Sequence, residues 1–350
     1  MTMKESDKPN LFTYATSELS QDAFICGLAA WADPKFKTAD PALHQVASDF
    51  IASLIHRHKP HYDVSRINSV NVERQVEKLD VLIKIIENSD DKLAILIEDK
   101  THTDHHSGQL GRYYENATKS FAIEQIIPIY FKTGYQSKFD VGNYKTYLRK
   151  DFLALLKSGS ERVKNAIYSD FLSHLEHMEY VVNQYSVKDL IKTDGSNGWD
   201  PDDWRGFFMS LYDKRNQLYE VTEDDTANWS YIANPSGGFF GFWWYFKTIQ
   251  NSPFTPYLQL ENDALCFKIE VKDETKRQES RGEAYQKLTE ASSQLGVELS
   301  RPTRMGSGRY MTVLRWKGDY RSQKDNKLDF DATLENLKKA QQILDTAFPQ

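Results

Sequence analysis

The chain has only two cysteines in 350 residues, Cys26 and Cys266. They lie far apart and show no metal-ligand spacing, which argues against a disulfide framework and fits a reducing cytoplasm. No apolar run approaches membrane-spanning length. The opening Met1–Asp7 stretch has no apolar signal region. A cytoplasmic chain with no membrane partner is the expectation. Walker A, G-x-G-x-x-G and G-x-S-x-G patterns are all missing, and Gly306-Ser307-Gly308 is too short for a phosphate loop. No repeat period occurs. Basic charge is not in excess either: the net charge is −6, so the whole chain is not a basic nucleic-acid binder.

What is present is ample material for a core. Hydrophobic residues make up 40% and aromatic ones 13%, enough to exclude a disordered chain. The length suggests two domains, or one core with a large extension. Charge is uneven: Lys272 to Lys327 holds 13 Lys/Arg against 8 Asp/Glu. A locally basic face on an acidic protein is compatible with a phosphate backbone, and equally with a plain solvated surface.

The chain is organised around Leu79 to Lys100. Two apolar, β-branched-rich runs, Leu79–Ile86 and Lys92–Lys100, flank the polar turn Glu87-Asn88-Ser89-Asp90-Asp91. That is a hairpin signal. Alternation puts Glu98 and Lys100 on one face and Asp99 on the other. Antiparallel pairing brings Asp80 beside Glu98. Two carboxylates at one point repel and are costly to desolvate unless a proton or cation joins them. Such oxygen ligands suit Mg²⁺, which takes one or two carboxylates and keeps its waters. A nearby lysine can orient a water and stabilise charge developing in phosphodiester attack. An edge hairpin with solvated end charges would carry the same residues.

Asp80…Glu98-Asp99-Lys100 on two such strands resembles the core signature of the PD-(D/E)XK nuclease superfamily, with Leu79 where a proline often stands. Gln109-Leu110-Gly111-Arg112-Tyr113 resembles the Q-x-x-x-Y element of RecB-type nucleases. The opening from Asn10-Leu11-Phe12 to Ser20–Phe24 is similar to that of uncharacterised bacterial members. The resemblance covers roughly the first half of the chain. It implies a metal-dependent nuclease using Mg²⁺ or Mn²⁺, with DNA favoured over RNA as substrate; endonuclease and exonuclease action both stay open. Asp80, Glu98 and the Asp99 backbone carbonyl would hold the metal. Asp80, Glu98 and Lys100 would be catalytic, and Glu18, Gln109 and Tyr113 supporting. A homodimer would fit cutting of both strands.

Ser17 to Trp31 reads as an amphipathic helix with Leu19, Phe24 and Leu28 inward. Glu18 in its first turn suits the helix dipole, and the resemblance makes it a candidate for the metal shell, with Asp22 in reserve. Pro41 to His58 reads as a second helix. His56, His58 and His61 follow as surface residues without zincin spacing. Ser69 to Val76 is a strand. His102, His105 and His106 lack a second ligand cluster and are expected to line the mouth of the Glu98/Lys100 site. Ser107 to Lys119 is a helix that places Gln109 and Tyr113 on one face. Gln125 to Phe131 is a strand in which Pro128 hints at an edge or bulge.

This order gives an α/β fold: a three-layer, restriction-endonuclease-like core with a central mixed sheet between helices. Helices at 148–156 and 161–180 follow. The loop Asp194–Pro201 divides residues 1–195, the nuclease-like core, from residues 200–350, an α+β region for substrate binding or dimerisation. In that region the aromatic run Phe239–Phe246 reads as a strand whose residues alternate faces, so that at least half are core. Hairpin strands surround Asn262-Asp263. Two alternatives stand beside the nuclease: a non-catalytic nucleic-acid-binding protein that keeps the fold, and an interaction or scaffold protein.

Overall fold

In the computed structural model, residues 9–89, 91–101, 108–235 and 237–349 are described. The histidines of 102–106 and the segment Met1–Asp7 therefore lie outside the described residues. The chain divides into two units, Met1–Glu179 and Tyr180–Gln350.

The first unit begins with α1 (Leu11–Tyr14), α2 (Glu18–Ala30) and α3 (Pro41–His56). Asp40 caps α3 by accepting from the Leu43 amide at 3.0 Å, and Pro41 at the first helical position fits the cap. Leu43, Val46, Phe50, Ile51 and Leu54 recur at helical spacing and are all buried. Leu19, expected inward on α2, is exposed; Gln21, Asp22, Phe24 and Ile25 take the buried face.

The sheet comprises β1 (Ile67–Val76), β2 (Leu79–Glu87), β3 (Lys92–Lys100), β4 (Ile126–Lys132) and β5 (Lys145–Leu148), in that spatial order. β1–β2–β3 is an antiparallel meander, while β3–β4 and β4–β5 are parallel. α4 (Gln109–Ala117) makes the crossover from β3 to β4, and α5 (Arg149–Gly159) and α6 (Ala166–Asn183) follow β5. One sheet face, with Val81, Ile83, Ile95, Ile97, Ile129 and Phe131, packs on α2, α3, α5 and α6. The opposite face, with Leu82, Ala94 and Leu96, packs on Tyr113 of α4. Each such side chain buried contributes about 1.5–3 kcal/mol relative to exposure. The result is a mixed five-stranded sheet with flanking helices, consistent with a restriction-endonuclease-like core.

Pro128 sits in β4, an interior strand rather than an edge. β5 covers β4 only from Ile129 onward, and the Pro128 carbonyl accepts from His58 Nε2 at 2.9 Å. A residue's nitrogen and carbonyl leave a strand on the same side, so the missing N–H falls where no strand stands. His58 is thereby half-buried and not a plain surface residue, and burial lowers its pKa.

The second unit contains α7 (Pro201–Asp213), β6 (Asn228–Ile232), β7 (Phe239–Trp244), β8 (Thr255–Glu261), β9 (Ala264–Glu270), α8 (Arg277–Gln294), β10 (Leu299–Ser300), β11 (Tyr310–Trp316), β12 (Ser322–Lys324), β13 (Lys327–Asp329) and α9 (Phe330–Ala347). Six strands form an antiparallel sheet in the order β10-β11-β9-β8-β7-β6. Phe240, Phe242 and Trp244 are buried on one face, where Phe242 stacks against Phe208 of α7. Gly206 is required in α7, since a Cβ there would lie 1.6 Å from the Val182 carbonyl oxygen.

Candidate nuclease active site

Pairing of Val81 with Ile97 continues one step to set Asp80 beside Glu98, at the ends of β2 and β3. Asp80 Oδ2 accepts from the Asp99 amide at 2.9 Å, which locks the strand ends together. Lys100 Nζ lies 2.6 Å from Glu98 Oε1 and 3.7 Å from Asp80 Oδ2. It also donates to the Asp99 carbonyl at 3.1 Å. From α4, Gln109 Nε2 donates to Glu98 Oε1 at 2.6 Å and to the Tyr113 hydroxyl at 3.1 Å. From α2, Glu18 Oε1 accepts from the Thr101 amide at 3.1 Å. The structure thus gathers Glu18, Asp80, Glu98, Asp99, Lys100, Gln109 and Tyr113 about one end of the sheet.

The electrostatics follow from burial. Glu98 is fully buried; desolvation, then the neighbouring Asp80, push its pKa up to about 7 against the opposing pull of Lys100. Asp80 is raised chiefly by desolvation. Burial works against the Lys100 ammonium, but Glu98 and Asp80 outweigh it and its pKa is raised. One buried oxygen, Glu98 Oε2, has no hydrogen-bond partner among the described residues.

Two close carboxylates, one with an orphaned oxygen and a raised affinity for positive charge, form a donor set that fits a hard divalent ion, which takes one or two carboxylates and fills its shell with water. Among the described residues there is no group of three or more His, Cys, Asp or Glu able to hold a metal ion. Any ion here would depend on Asp80, Glu98, a backbone carbonyl and water.

On the other face of β3, Asp99 is buried and meets α2. Gln21 Nε2 donates to Asp99 Oδ1 at 2.5 Å, and Thr133 Oγ1 donates to Gln21 Oε1 at 2.5 Å. Arg149 continues the chain to the Thr133 carbonyl and to Glu179 Oε1, the latter at 2.6 Å. Asp22 is buried beside Asp99; burial, then Asp80, raise its pKa to about 6. Burial, then Asp22, raise that of Asp99 well above the usual carboxylate range. Two buried acids side by side disfavour each other's ionisation. Asp22 turns toward the Asp99 side chain. Sequence reasoning missed this polar spine, because nothing in a lone sequence ties Gln21 to Thr133 across 112 residues.

Two further residues of the site face were missed. Lys132 is in register with Lys100 on the neighbouring strand, and the two point the same way. The alternation of β4, extended by one residue beyond the expected end at Phe131, would have found it. Tyr144 is buried on the same face, clustered with Leu110 and Tyr130. Burial, then Glu98, raise its phenol pKa.

Gly134 holds the strand ends at close quarters. A Cβ there would lie 1.5 Å from the Thr101 carbonyl oxygen, so Gly134→Ala must push apart the exits of β3 and β4. A lowered melting temperature is expected, with a loss on the order of 1–3 kcal/mol, comparable to other overpacking substitutions. Thermal denaturation of the two purified proteins checks it; an unchanged melting temperature would contradict the close approach.

Residues 44–193 match the family model described as the PD-(D/E)XK nuclease superfamily. The matched segment carries β1–β5 and α4 and makes up less than half of the chain; what it shows is a likeness to that superfamily. No curated protein and no solved structure matched the chain. No helix among the described residues is long and apolar enough to cross a membrane.

Proposed function

We propose that the chain is a divalent-metal-dependent nuclease that hydrolyses phosphodiester bonds, with DNA as its substrate and Mg²⁺ as its ion. The observation that carries the reading is the joining of Asp80, Glu98 and Lys100 at one sheet end inside the segment that matches the nuclease family model. Asp80, Glu98 and the Asp99 carbonyl would hold the ion, and Glu18 stands near enough to complete its surroundings through water. When bound, the metal supplies Lewis-acid stabilisation and a more acidic water.

The protein's own groups do the rest. Lys100 holds three protons in a fixed direction between the two carboxylates, so it can orient a water and stabilise negative charge on the phosphate. Gln109 fixes the Glu98 carboxylate through its amide, and Tyr113 fixes Gln109. The second unit would bind substrate or a second copy of the chain.

The direct test is incubation of the purified protein with linear, circular and single-stranded DNA and with RNA, with Mg²⁺ or Mn²⁺ and with EDTA. Metal-dependent cutting is expected, and loss of the circular form would make the enzyme an endonuclease. Binding without cutting under all these conditions would favour a nucleic-acid-binding protein that keeps the fold.

A further inference from the structure

The aromatic run of the second unit splits between two faces. Phe240, Phe242 and Trp244 enter the core, while Phe239 and Trp243 face the other way and stay partly open. This second face holds a cavity of about 440 Å³, lined in part by Phe239, Trp243, Phe246, Tyr257, Gln259 and Lys268. Phe246 and Tyr257 stack at 4.6 Å with planes 6° apart, and Tyr310 at the rim is 55% exposed. Aromatic side chains left partly open around a cavity are a common feature of binding sites.

The floor of the cavity is polar and organised. Gln259 is 6% and Lys268 9% exposed. Gln259 Nε2 donates to Glu261 Oε1 at 3.1 Å, and Lys268 Nζ donates to the same oxygen at 2.8 Å. These bonds fix both side chains yet leave the Gln259 amide oxygen without a partner among the described residues and the Lys268 ammonium with protons to spare. A flat ring whose edge carries both donors and acceptors satisfies this floor; an acyl chain would bury it unpaired. Arg309, one residue before β11, pairs with Glu270 of the cavity lining, and Arg315 on β11 pairs with Glu261, which holds the Gln259 and Lys268 side chains. Both arginines belong to the stretch in which basic residues outnumber acidic ones 13 to 8, in a chain of net charge −6.

We infer that this face binds single-stranded nucleic acid, one unpaired base entering the cavity to stack on the aromatic wall while the arginine flank follows the phosphates. A base inside a duplex does not offer its face, so the cavity selects unpaired nucleotides. The inference rests on the proposed nuclease reading for its choice of a strand over a free nucleotide.

The test uses the full chain in EDTA, so that nothing is cut. Binding of fluorescein-labelled 12-mers of dA and dT is followed by anisotropy, against the duplex of the same length and against dAMP as competitor. The single strands are expected to bind more tightly than the duplex. Trp243→Ala should weaken them about five- to hundredfold, the weight of one stacked base, and Trp243→Phe should recover most of the loss. Gln259→Met, close in volume, should flatten the ratio between dA and dT.

Equal affinity for duplex, binding indifferent to Trp243→Ala and Gln259→Met, displacement by dAMP at concentrations equal to the strand, or no strand binding at all would each overturn the inference. Strand binding through Trp243 in a chain that cuts nothing with any metal would overturn the nuclease reading alone. Metal-dependent cutting with Trp243-independent binding would overturn the inference alone.

Discussion

Lys100→Ala should abolish metal-dependent cleavage while leaving the chain folded. The ammonium lies between Glu98 and Asp80, at 2.6 and 3.7 Å, and forms an ion pair with each. In the proposed reaction it faces charge that grows only in the transition state, so its loss lowers the rate and not only the affinity. Removing one such stabilising group costs about 10²–10³ in rate, and the loss of water orientation adds to it. The variant also strips a buried carboxylate pair of its counter-charge, which makes that pair still harder to ionise. Cleavage assays with Mg²⁺ and Mn²⁺, with far-ultraviolet circular dichroism as the check on folding, give the answer. Full activity in the variant would sink the mechanism.

Asp80 has two tasks that two substitutions separate. Its carboxylate would bind metal, and its Oδ2 accepts the Asp99 amide at 2.9 Å. Asp80→Ala should abolish cleavage and also leave that amide without its acceptor, at a cost of about 1–3 kcal/mol if water does not replace it. Asp80→Asn keeps an acceptor oxygen in place but removes the charge. It should be inactive with a melting temperature closer to that of the parent. Metal binding by titration calorimetry should fall in both. An active Asp80→Asn would show that the charge at this position is not used for the ion, and the proposed ligand set would then be wrong.

The site was legible where chemistry and strand geometry coincide in one short stretch. The polar break at 87–91 between β-branched runs marks a hairpin, and alternation then dictates that Glu98 and Lys100 share a face opposite Asp99. The same rule divided Phe239–Trp244 between two faces. Other parts left no local mark. The turn between β1 and β2 is made by Glu77 and Lys78, both with positive φ, where asparagine or glycine would be the signal. β5 is only four residues long and runs directly into α5, so its polar, short pattern merges with the helix. The link from Asp99 through Gln21 and Thr133 to Arg149 depends on tertiary packing alone. Pro128 misled for the opposite reason: the rule that proline avoids interior strands holds for the hydrogen-bonding side, and only the fold reveals which side is free.

β3 is paired on both sides, and its residues from Leu93 to Lys100 are all buried. Most of the edge strand β1, by contrast, is solvent-accessible. In heavy water the amides of β3 should therefore rank among the last of the first unit to exchange, and those of β1 among the earlier ones. The carboxylates and the lysine ride at the end of that slow strand. Their spacing is thus carried by the part of the unit that opens least often, and fraying of the outer strand can come and go without disturbing it.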